Sequence, residues 1–119
     1  MKETVEILLL PEAGWTTEEL KHRLETNADW DPSIRLDIRR PPESLLGPGL
    51  DFIRATLPYA TAALVAFIKA VTDVRKAKNL TEVTIKFPDG TEWRLKGSLA
   101  VKKAEQLLMK LKPNTIVKV

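Results

Sequence analysis

Cysteine is absent from the 119-residue chain, which excludes a disulfide framework, a thiol nucleophile and a thiolate metal site. Histidine occurs once, at His22, flanked by Lys21 and Arg23. A lone histidine between two cations on a short charged helix supplies no nucleophile, so it reads as a surface residue. A membrane-length hydrophobic run is also missing. The uncharged stretch between Arg54 and Lys69 covers 14 residues, Ala55 to Ile68, whereas a spanning helix needs about 20. The opening "KETVEILLL" alternates like a strand and lacks the small-residue cleavage site of a secretory signal, so the expected location is cytoplasmic.

The remaining composition is that of a globular protein, with 44% apolar and 29% charged residues; one domain of α/β class is expected. The net charge of +3 is unevenly spread. Residues 1–74 hold 8 Lys/Arg against 12 Asp/Glu, and residues 75–119 hold 11 against 4. Such polarity suits head-to-tail association, or a basic face for an acidic partner.

Patterning gives the order β-α-β-α-β-β-α, with a further closing strand, and a mixed sheet of four to five strands packed by three helices. Residues 1–40 read as a β-α-β unit: Val5, Ile7 and Leu9 alternate, Thr16 and Glu19 form a capping box, and Ile34, Leu36 and Ile38 alternate again. The two strands are parallel if they share a sheet directly or around another strand. Residues 41–49, "PPESLLGPG", are a Pro/Gly connector. The "GPG" within it lacks the lysine and glycine spacing of a phosphate loop. Residues 50–76 read as one long apolar helix, with Leu50, Ile53, Leu57, Leu64, Phe67, Ile68, Val71 and Val74 along one stripe. Pro58 is expected to kink it, or to restart it with Thr56 or Leu57 as cap. Residues 82–96 form a hairpin turning at Asp89-Gly90. Residues 98–112 form an amphipathic helix capped by Ser98, with Leu99, Leu107, Leu108 and Leu111 inward and Lys102, Lys103, Lys110 and Lys112 wet. Residues 115–119 close the chain as a strand.

No catalytic constellation, cofactor motif or metal set emerges. Asp29 and Asp31 lack the ligand spacing of a calcium loop and suit a turn, while Glu18 and Glu19 suit a helix N-terminus. The expectation is a protein that is not an enzyme and carries no cofactor. Two surfaces remain. On the central helix, Ala62, Ala66 and Ala70 recur every four residues beside Leu64 and Phe67, a spacing that lets helices approach closely. On the basic half, Arg75, Lys76, Lys86, Arg94 and Lys96 form a candidate contact face. Trp93 and Phe87 among those cations also resemble a single-strand binding surface, but both fit the apolar side of the hairpin, and no nucleic-acid partner is expected.

The sequence of features then resembles a known family. A β-α-β opening is followed by "PPESLLGPG", an alanine-rich helix ending in "VRKAKN", the hairpin "VTIKFPDGTEWRL" and the helix "AEQLLMKL". This order is similar to the effector-associated constant component family of bacterial conflict systems, over nearly the whole chain. The central helix departs from the family's glycine-richer pattern, having Thr, Ala and Pro58. The resemblance implies a non-catalytic adaptor or regulatory component of antiviral defence, partnered by an effector such as a peptidase from a neighbouring gene. An oligomer is a further expectation. The alternative is a membrane-active effector whose helix 50–76 is released by proteolysis or assembly, so that the membrane is met only after a trigger; a nucleic-acid-binding module comes third.

Overall fold

The computed structural model describes residues 3–12, 14–39, 51–96 and 99–119. The elements are β1 (Thr4–Leu10), α1 (Thr17–Glu25), β2 (Arg35–Arg39), β3 (Phe52–Pro58), α2 (Thr61–Lys76), β4 (Glu82–Lys86), β5 (Glu92–Lys96), α3 (Val101–Lys110) and β6 (Ile116–Lys118). Among the described residues the class is α/β with three helices and one mixed sheet, as expected, but the sheet has six strands, in the order β2-β3-β1-β6-β4-β5.

The extra strand is β3, and it corrects the long helix expected over 50–76. Ile53, Ala55 and Leu57 point into the core while Arg54 and Thr56 are only half-buried, a period of two that a strand requires. Positions 53, 57 and 64 also fit helical steps, and that coincidence hides the strand. Pro58 neither kinks a helix nor follows a cap at Thr56 or Leu57. It ends β3, where the missing N–H matters least, and Ala60 is the N-cap of α2. Leu50 and the connector 41–49 lie outside the described residues.

β3 pairs antiparallel with both β1 and β2, so β1 and β2 run parallel around it, which is the arrangement the β-α-β opening allowed. β6 is parallel to β1 and antiparallel to β4, and β4 and β5 form the hairpin. Its turn is as read. Gly90 donates to Phe87 O at 3.0 Å and adopts φ +93°, a conformation that costs glycine little. Thr16 caps α1, its hydroxyl accepting from Glu19 N–H at 3.1 Å. Ser98 lies outside the described residues. The N-cap of α3 is Ala100, which makes no side-chain bond.

One face of the sheet is apolar throughout. Val5, Ile7, Leu9, Leu36, Ile53, Leu57, Val83, Ile85, Leu95 and Val117 meet Leu20 and Leu24 of α1, Leu64, Phe67, Ile68 and Val71 of α2, and Ala104, Leu107 and Leu108 of α3 in one cluster. All three helices therefore cover the same face. The other carries Glu6, Arg35, Asp37, Arg39, Arg54, Thr84, Lys86, Arg94 and Lys96 in alternation with the core residues. Among the described residues no helix is long and apolar enough to cross a membrane. Ile53→Ala and Phe67→Ala, both fully buried, should each lower the unfolding free energy by about 2–5 kcal/mol. Met109→Ala, at an 80% exposed residue, should change it by less than about 0.5 kcal/mol. Urea titration followed by circular dichroism measures all three.

Candidate functional site

The alanines of α2 do not form one face. Each four-residue step overshoots a full helical turn by about 40°, so the series spirals from solvent towards the sheet. Ala62 is exposed and Ala66 half-buried, while Ala70, Leu64 and Phe67 are completely buried. Only Ala62 and Ala66 of that set can meet another molecule. They floor a shallow groove of about 500 Å³ with Thr61, Val65 and Lys69, and Asp29 and Val101 stand at its sides. Lys69 Nζ binds Asp29 Oδ1 at 3.2 Å along the rim, and Val101 is 62% exposed.

The basic residues divide as well. Lys86, Arg94 and Lys96 are exposed on β4 and β5 and share the helix-free face. Arg94 Nε lies 3.6 Å from Glu82, an exposed pair of small energetic weight. Lys76 is exposed at the C-terminal end of α2, in the helical layer. Arg75 does not join the surface. It is buried, and its Nη1 donates to the Lys118 carbonyl at 3.2 Å, tying α2 to β6.

Sequence patterning misses how α3 reaches the hairpin. Phe87 and Trp93 meet edge to face at 5.7 Å. Lys103 Nζ stands 4.3 Å above the Trp93 ring, and Lys110 Nζ lies 4.9 Å from Phe87 and 5.7 Å from Trp93. A cation over a ring face is attracted by its quadrupole. The signal was the seven-residue interval between Lys103 and Lys110, two turns on one face of α3. Trp15 is a second aromatic of this kind. Arg23 lies 5.6 Å from its ring and Lys78 4.4 Å, and among the described residues its buried Nε1 has no hydrogen-bond partner.

The two turn aspartates are fixed by hydrogen bonds. Asp31 accepts from the Ser33 hydroxyl and amide at 2.6 and 2.9 Å, and Asp89 accepts likewise from Thr91 at 2.7 and 2.9 Å. Those bonds favour the carboxylate and hold both groups below the usual aspartate range, with Lys110 and Lys112 adding a smaller pull on Asp89. These arrangements are turn chemistry, and among the described residues no group of three or more His, Asp or Glu side chains could hold a metal ion.

A depressed folded-state value means that the stabilisation is present above the unfolded value and lost as pH falls through the folded one. Carboxyl NMR titration should place Asp31 and Asp89 below the ordinary 3.8. Thr91→Val should raise Asp89 by removing the hydroxyl bond, and an unchanged midpoint would refute this account.

Compared with protein-family models, curated proteins and solved structures, the chain matches none.

Proposed function

We propose that the chain is a non-catalytic adaptor or regulatory component of a bacterial defence system, acting in the cytoplasm by contact with an effector such as a peptidase from a neighbouring gene. The observation that carries this reading is the cationic helix-free face of the hairpin, where Lys86, Arg94 and Lys96 are all exposed. That face suits an acidic protein surface. Electrostatic complementarity of this kind sets partner choice and association rate. On the opposite, helix-covered side Lys103 and Lys110 stand over half-buried Trp93 and buried Phe87, and lysines held against rings lose less freedom on binding than free ones. The groove over Ala62 and Ala66, lined also by Val101 at the start of α3, offers a second contact.

The membrane-active alternative has less support. Leu64, Phe67, Ile68 and Val71 are completely buried, worth up to about 1.5–3 kcal/mol each. With β3 removed from the apolar segment, α2 has only 16 residues. Release would have to dismantle the core.

Co-expression with the products of adjacent genes, followed by affinity capture and calorimetry, tests the proposal. Changing Lys86, Arg94 and Lys96 together to Glu should weaken effector binding about tenfold or more and flatten its dependence on salt. An effector that binds the triple variant as well as the wild type would remove the surface from the reading. Salt-sensitive oligonucleotide binding that disappears in the variant would replace the adaptor with a nucleic-acid module.

A further inference from the structure

β2 and β5 close the two ends of the sheet, each with a strand neighbour on one side only among the described residues. The pairing senses fix their directions. β1 is parallel to β6 and antiparallel to β3, while β3 is antiparallel to β2, and β4 is antiparallel to β6 and β5. Hence β2, β1, β6 and β5 all run the same way. If β5 of one copy lies beside β2 of the next, with the helices on the same side, the new pair is parallel and the sheet continues.

The side chains of the two edges match in that orientation. On the helix-free face β5 carries Glu92, Arg94 and Lys96, and β2 carries Arg35, Asp37 and Arg39, all exposed. With Arg94 set beside Asp37, Glu92 falls beside Arg35. On the helix-covered face Trp93 then falls beside Leu36 and Leu95 beside Ile38. Trp93 and Ile38 are two of the hydrophobic residues that remain only partly buried against the core, and each lies on an edge strand that a neighbour would cover. Like charges meet only at Lys96 and Arg39, and Lys96 faces Glu82 within its own hairpin.

The ends are also complementary as wholes. Residues 17–39 carry 6 acidic and 4 basic side chains, whereas 82–112 carry 4 acidic and 7 basic. Like edges join ends of the same net sign: β5 against β5 brings two basic ends together, and centred on Arg94 it sets Arg94 on Arg94, while β2 against β2 brings two acidic ends together and centred on Asp37 sets Asp37 on Asp37. Edge charges of this kind act against indiscriminate pairing, and here the opposite net charges of the two ends favour β5 on β2.

We propose that the β5 edge docks on the β2 edge of a second copy of this chain, giving head-to-tail assembly through a continuous sheet. The contact is heterologous, so it leaves a free edge at each end and adds further copies until the rotation between neighbours brings the two free edges together in a ring. This inference concerns the chain's contact with itself and stands apart from the identity of any effector.

Light scattering on the purified chain tests it with no partner present. At low salt the mean mass should rise with concentration above the 13.4 kDa monomer, by roughly twofold or more for a heterologous contact. It should fall back at ~1 M salt, where screening shortens to about 3 Å. Asp37→Arg and Arg94→Asp should each hold the chain monomeric, with circular dichroism confirming the fold. An equimolar mixture of the two should regain mass, because each variant's altered edge then meets its opposite charge. A wild type that stays at monomer mass throughout would overturn the proposal. So would an Asp37→Arg variant that associates like the wild type, which would mean pairing that does not use β2.

Discussion

The fold depends on a three-residue strand. β6 fills the gap between β1 and β4, and without it the β2-β3-β1 sheet and the β4-β5 hairpin share no strand ladder. Its attachment is reinforced on every side. Leu8 N–H donates to Thr115 O, Val119 N–H to Leu10 O and Glu12 N–H to Val119 O, lengthening the β1 side of the ladder beyond the strand itself. Arg75 reaches from α2 to the Lys118 carbonyl. Val117 and Val119 are completely buried, so backbone pairing and core packing hold the same few residues. Buried backbone groups must find partners, and a short strand in the middle of a sheet satisfies them on both sides.

Most elements were legible because their signals are local. The N-cap at Thr16, the turn at Asp89-Gly90 and the stripe of Leu99, Leu107, Leu108 and Leu111 each specify structure within a few residues. β3 was not legible because two periods coincide over Ile53 to Leu64 and because Ala55 has little preference for a strand. Only the partners of Ile53, Ala55 and Leu57 across β1 and β2 settle the conformation. The position of β6 was hidden for the same reason: "TIVKV" reads as a strand, but nothing within it says that it sits at the centre.

The interaction surfaces were half legible. Charge counts located the basic hairpin, yet Arg75 could not be distinguished from Lys76 by type, and one is core while the other is solvated. Ala62, Ala66 and Ala70 share a spacing but not an environment, since the helix turns beneath them. The stacking of Lys103 and Lys110 on Trp93 and Phe87 depends on where α3 docks, a tertiary fact.

The central place of β6 has a consequence for synthesis. More than 100 residues separate Leu8 from its partner Ile116, and contacts so distant in sequence form slowly because loop closure comes first. A ribosome adds about 5–20 residues each second, so the first half of the sheet emerges seconds before the strand that joins it to the hairpin. During that interval the β1 and β4 sides later sealed by β6 are open strand edges on a nascent chain, and unpaired edges are what aggregation and chaperones recognise. Translation speed through the hairpin and α3, more than the stability of the finished domain, sets how long this chain spends with its sheet in two pieces.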